Sequence, residues 1–160
     1  MNQQVILFLD FDGVVTTLKS RWCLDPEKFK ILGEILDKTN ANIVISSSWR
    51  RGTIEDTIDF LTITEINHYV NNNPFPFVDK IIGQTPRLPY SRMSEKDHRG
   101  REIKKWMEDN NYTGKYIIID DDCDFLEEQI PYHLWTKWDT GLEESDIQKA
   151  LDILNEDSKV

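Results

Sequence analysis

Short apolar runs alternate with longer stretches of helical period along this chain, and that alternation admits few architectures. The runs are Val5 to Leu9, Asn42 to Ile45, Phe77 to Ile82, Tyr116 to Ile119 and Tyr132 to Trp135. Each has the length of a β-strand. The first has no polar partner positions, as expected of a central strand covered on both faces by helices. Between the runs, Asp25 and Pro26 predict an N-cap and first turn for a helix to about Lys38, with Phe29, Leu32, Ile35 and Leu36 on one face. Thr53 and Asp56 have capping-box spacing for a second helix carrying Ile54, Ile58 and Leu61. A third helix bears Ile103, Trp106 and Met107, and a fourth starts near Glu143 with Ile147, Ala150, Leu151 and Leu154 as its stripe. A loop from Gly83 to about His98 precedes the third helix. The pattern predicts βαβ units in one α/β layer fold with a mainly parallel sheet, filling a single domain over residues 1–160.

At 160 residues the chain is long enough to bury about two-thirds of the surface it exposes when unfolded. Nineteen basic against 29 acidic residues leave a net charge of −10. Such a charge repels nucleic-acid backbones and anionic lipid unless basic residues gather locally. Cys23 and Cys123 are too few for a disulfide framework and lack zinc-site spacing, which fits a reducing, cytoplasmic setting. The apolar run at Val5 is far too short for a membrane span, so no membrane partner is expected.

Three strands run into polar clusters: Leu9 into Asp10 and Asp12-Gly13, Ile45 into Ser46, Ser47 and Ser48, and Ile119 into Asp120, Asp121 and Asp122. In an open parallel sheet those ends share one edge, where ligands bind. Asp10, Asp12, Asp120 and Asp121 brought together would repel one another unless a cation neutralised them. With oxygen donors only, that cation is expected to be Mg2+. Carboxylates around magnesium with an adjacent hydroxyl and a basic side chain suit phosphoryl transfer through an aspartyl phosphate. Asp10 is then the nucleophile, Asp12 the acid and base, and Ser46 a donor to a phosphoryl oxygen, with Gly13 permitting the sharp turn.

The stretch around Asp10, Asp12 and Gly13 resembles the first motif of the haloacid dehalogenase (HAD) superfamily of phosphohydrolases. Ile-Val-Ile-Ser46 resembles its second motif, Arg99 to Lys104 its basic third, and Asp120-Asp121 its acidic fourth, all in the family's order. The resemblance implies a Rossmann-like three-layer α/β/α sandwich, with magnesium held by Asp10, the Asp12 carbonyl and Asp121. The family usually has Lys in the third motif. Here Arg99 stands there, with Lys96 and Arg101 as neighbours able to take the role. The intervals between motifs leave no room for a large cap domain, so an open site and large phosphorylated substrates are implied. Residues Ser47 to Arg51, the Ile82 to Pro86 segment and Asp139 to Leu142 resemble HAD domains associated with RNA-repair proteins, which implies RNA or DNA ends, or nucleotides, as partners.

Several assignments have two readings. Between Arg87 and Lys105 seven basic residues face three acidic ones, either an anion-binding strip or a solvated helix face. Trp49 is either a base-stacking platform or a core residue, and Arg50 either a phosphate contact or part of the same solvated set. Asp122 and Asp124 read as helix-capping or solvated residues, Cys123 as a small buried hydrophobe, and Trp106, Trp135 and Trp138 as core or lining residues. Other functions of the same fold are a phosphoprotein or metabolite phosphatase, a receiver that accepts phosphate without turnover, and a binding module that has lost catalysis.

Overall fold

All four residues of the first strand, β1 (Ile6–Leu9), are buried, and its neighbours on both sides run parallel to it. The computed structural model describes residues 3–63 and 67–156. Strands β2 (Asn42–Ile45), β3 (Ile81–Gln84), β4 (Tyr116–Asp120) and β5 (His133–Trp135) complete a parallel sheet in the order β3-β2-β1-β4-β5. The chain moves outward from β1 to β3, then returns to the other side of β1. The turning point of the topology therefore lies between β1 and β4, where Leu9 pairs with Ile119.

Alternation along the strands divides the core. Leu7, Leu9, Ile43, Ile45, Ile117 and Ile119 face one layer, with Phe29, Leu32, Ile35 and Leu36 of α1 (Pro26–Thr39) and Ile147, Ala150 and Leu154 of α4 (Ser145–Glu156). Ile6, Phe8, Val44 and Ile118 face the other, with Ile103 and Trp106 of α3 (His98–Asp109). The fold is thus a Rossmann-like three-layer α/β/α sandwich with no large cap. Local signals set the helix ends: Asp25 accepts from the Glu27 N–H at 3.0 Å, Pro26 opens α1, and Asn40 closes it in the left-handed region. Thr53 caps α2 (Ile54–Thr62) through the Asp56 N–H. Among the described residues, no helix is long and apolar enough to cross a membrane.

The third strand lies later than the apolar run predicts. Val78–Lys80 form a 3-10 turn from which Phe77 and Val78 pack onto the core, and β3 continues through Gly83 to Gln84. Gly83 accommodates the Trp106 indole, which a Cβ would crowd at 3.2 Å. A 3-10 segment, Glu127–Tyr132, likewise takes Tyr132 out of β5. Cys123 is exposed, not buried, because it follows the strand end in the loop beyond Asp120. Trp106 is core, whereas Trp135 and Trp138 are exposed.

Candidate active site

Backbone pairing across β1 carries the acidic residues to one place. The Asp10 N–H donates to Ile119 O at 3.0 Å, and the Ser46 N–H donates to Leu9 O at 2.9 Å. Asp10, Asp120 and Asp121 each offer a carboxylate oxygen within 4.8 Å of the others, and Asp10 and Asp120 are buried. The Gly13 backbone turns back at a φ of +75°, and a Cβ there would collide with the Asp121 carboxylate. Gly13 thus lets the first and fourth strand ends close on one another, while Thr136 Oγ1 fixes its carbonyl at 2.6 Å.

The charge state follows from this crowding. Burial, reinforced by Asp121 and opposed by Arg99 and a Ser47 hydrogen bond, raises the Asp10 pKa to about 7. Burial also raises Asp120, where Asp10 adds repulsion, and raises Asp121. Three carboxylates held together in this state fit a hard, oxygen-loving cation, and the donor set contains no nitrogen or sulfur. Arg99 supplies the fixed positive charge. Its burial would lower its pKa, but Asp10, Asp120, Glu102 and Asp124 outweigh that and raise it. Its Nε stands 4.0 Å from Asp120 Oδ2.

Asp12 is held apart from the acidic cluster. Thr16 Oγ1 donates to its Oδ1 and Trp49 Nε1 to its Oδ2, both at 3.0 Å. Its carboxylate is therefore oriented by two neutral donors and does not join the three clustered ligands.

Two buried side-chain atoms among the described residues lack a hydrogen-bond partner: Ser46 Oγ and Arg99 Nη1. Both belong to residues that border Asp10. Unpaired donors of this kind cost about 1–3 kcal/mol each, and an anion between them would satisfy both.

The structure brings together Asp10, Asp12, Gly13, Ser46, Ser47, Arg99, Asp120 and Asp121, but Ser47 hydrogen-bonds Asp10 and accepts from the Trp49 N–H at 3.1 Å, so it braces the site. The base-stacking expectation for Trp49 fails because the indole is buried and stacked on Phe11, with centroids 5.1 Å apart and planes at 10°. Arg50 is likewise no phosphate contact. Its buried guanidinium donates to Ser47 O, Thr85 O and Oγ1, Pro86 O and Glu102 Oε1. Lys96 is exposed and Arg101 pairs with Asp97 on the outer helix surface, so Arg99 alone of the three basic candidates enters the cluster. Lys105 pairs with Asp109, and this part of α3 is a solvated face. Asp124 accepts from the Arg99 N–H at 3.2 Å and so caps the helix that delivers Arg99.

Sequence reasoning missed Thr16, Glu102 and Thr136, and left Trp135 as core or lining without placing it at the site. The rule that strand ends share one edge applies to β5 as well and selects the lining reading for Trp135. Its indole N–H donates to Asp121 O at 2.8 Å. No curated protein and no solved structure matches the chain. A family model described as the HAD domain in Swiss Army Knife RNA repair proteins matches residues 6–147, and with the strand-end acids, Ser46 and Arg99 in place the chain belongs to that family.

Proposed function

We propose that this domain is a magnesium-dependent phosphomonoesterase that works through a phosphorylated Asp10, on a nucleotide or polynucleotide terminus. The unpaired Ser46 Oγ and Arg99 Nη1 beside Asp10 carry the reading, because together they form a buried receptor for a phosphoryl group. Asp10, Asp120, Asp121 and the Asp12 carbonyl would hold magnesium, which when bound neutralises the carboxylates and withdraws charge from the phosphoryl oxygens.

An Asp10 oxygen attacks phosphorus as the ester P–O bond breaks, and Asp12 gives its proton to the departing oxygen. Asp12 then takes a proton from water, which attacks the phosphorus of the acyl phosphate. Inorganic phosphate leaves and the Asp10 carboxylate is restored. Arg99 and Ser46 hold the transferring group throughout, and the hydrogen bonds from Trp49 and Thr16 keep Asp12 aimed. The absence of a large cap favours a substrate that extends well beyond its phosphate. The family's association with RNA repair makes a polynucleotide end the best-supported choice.

Asp10→Asn should reduce magnesium-dependent turnover of an aryl phosphate by at least about a thousandfold, and retention of full activity would overturn the mechanism. Multiple turnovers by the wild type separate this enzyme from a receiver that merely accepts phosphate. Oligonucleotides with 3′ or 5′ phosphates should be hydrolysed in preference to phosphopeptides. The opposite preference would make the domain a phosphoprotein phosphatase.

A further inference from the structure

Two tryptophans at and just beyond the end of β5 stand exposed, Trp135 at 62% and Trp138 at 58% of their full surface. Exposed indoles of this size are uncommon unless something covers them. Trp135 pairs in register with Asp120, and its bond to Asp121 O fixes the ring at the rim of the site. Trp138 follows in a turn that rests on the loop after β1. The Leu18 N–H donates to Asp139 O at 3.1 Å, and the Leu142 N–H to Val14 O at 2.9 Å.

From that loop Trp22 meets Trp138 with ring planes 19° apart and centroids 6.0 Å apart. The chain adopts the left-handed region at two consecutive non-glycine residues to achieve this, Arg21 at φ 56° and Trp22 at φ 61°. Exposed Lys19, Arg21 and Lys137 lie on the same two segments in a chain of net charge −10, among acids that include Glu27 3.9 Å from Lys19, half-buried Asp139, Glu143 bonded to Thr140, and Asp121 and exposed Asp122 beside Trp135. Flat aromatic faces interspersed with cations match single-stranded nucleic acid, in which bases stack while phosphates meet Lys and Arg.

We propose that Trp22, Trp135 and Trp138 form a stacking surface for the last bases of a single-stranded polynucleotide whose terminal phosphate lies at Asp10, an inference that rests on the function proposed above. The bond from Trp135 to Asp121 O sets the register. A base next to the reacting phosphate would meet Trp135, and those further along would meet the Trp22–Trp138 pair.

Anisotropy of a labelled single-stranded oligonucleotide ending in a non-hydrolysable phosphonate, with magnesium present, tests this directly without turnover. Separate RNA and DNA probes show which sugar is preferred. Trp138→Ala and Trp22→Ala should each weaken binding about tenfold, Trp138→Phe should restore most of it, and a duplex of the same sequence should bind more weakly than the single strand. Binding should also quench the wild type's intrinsic tryptophan fluorescence, a readout that requires no variant to fold. Variants that melt like the wild type and bind equally well would overturn the surface, as would absence of oligonucleotide binding or equal Trp138-dependent binding of a phosphopeptide. Parallel hydrolysis assays with magnesium keep the two proposals distinct. Cleavage of the terminal phosphate with no effect of the tryptophans on binding removes the surface and leaves the enzyme. Hydrolysis of aryl phosphate alone removes the polynucleotide terminus, while anisotropy still decides what the tryptophans bind.

Discussion

The Trp49 indole donates its Nε1–H to Asp12 Oδ2 at 3.0 Å, so a residue buried in the core orients the carboxylate read as the acid and base. Its ring also stacks on Phe11, the residue between the two first-strand acids. One core indole thereby holds both Asp12 and the residue before it.

Trp49→Phe retains a ring against Phe11, deletes the N–H and removes the indole's second ring from its packing with Phe60 and Tyr69. Stability should fall by about 2 kcal/mol, one hydrogen bond lost together with the small cavity left in the core. Turnover should fall by roughly tenfold or more with KM little changed, because a misaimed proton donor slows the step without weakening phosphate binding. Steady-state kinetics with chemical denaturation separate these effects, and a shift confined to KM would count against the positioning role.

At the turn, Gly13→Ala places a Cβ where the Asp121 carboxylate lies, at a φ of +75° that alanine tolerates poorly. Asp121 must swing away, so magnesium binding measured by calorimetry should weaken at least tenfold. Stability without metal should fall by about 1 kcal/mol. Unchanged affinity would remove Asp121 from the metal site.

Arg50 and Glu102 form a buried ion pair at 3.1 Å, with Glu102 Oε2 also accepting from the Leu88 N–H at 2.9 Å. Arg50→Ala leaves Glu102 buried without its countercharge and should cost about 3–5 kcal/mol in urea unfolding. For a domain of this size that lowers the melting temperature by roughly 10 °C. A variant that melts normally but shows a raised KM for phosphorylated oligonucleotide would return Arg50 to the role of substrate contact.

Period and strand-end chemistry were legible in the sequence; partner choice was not. The run at β1, the cap at Asp25 and the acids after Leu9 and Ile119 follow from short-range rules, and the parallel sheet converts them into one cluster. Trp49 and Arg50 were ambiguous because a tryptophan and an arginine after a serine loop look alike whether they face solvent or Phe11, Thr85 and Glu102, residues distant in sequence. Arg99 was distinguishable from Lys96 and Arg101 only through helical phase, which depends on where α3 begins. That start is fixed in part by Asp124, from the other side of β4. The strand at Phe77 was misplaced by its apolar content, which a 3-10 turn packs onto the core as well as a strand would.

The acidic cluster should couple stability, metal and pH in a definite direction. Burial lifts the Asp10 pKa from 3.8 to about 7, with Asp120 and Asp121 raised as well. The folded state therefore holds protons that the unfolded chain releases. Its stability from these groups is intact below about pH 4 and is lost as pH rises toward 7, every tenfold difference in proton affinity between the two states corresponding to about 1.4 kcal/mol. Magnesium stabilises the ionised cluster, so the gain in melting temperature on adding it should be small at pH 5 and large at pH 8. In the metal-free state Asp10→Asn should melt above the wild type at pH 8, despite the loss of its attraction to Arg99, and this advantage should shrink by pH 4.5. The same variant should gain less from magnesium at pH 8. A metal-free Asp10→Asn chain that melts below the wild type at pH 8 would mean that Arg99 outweighs burial and that Asp10 is ionised without a metal.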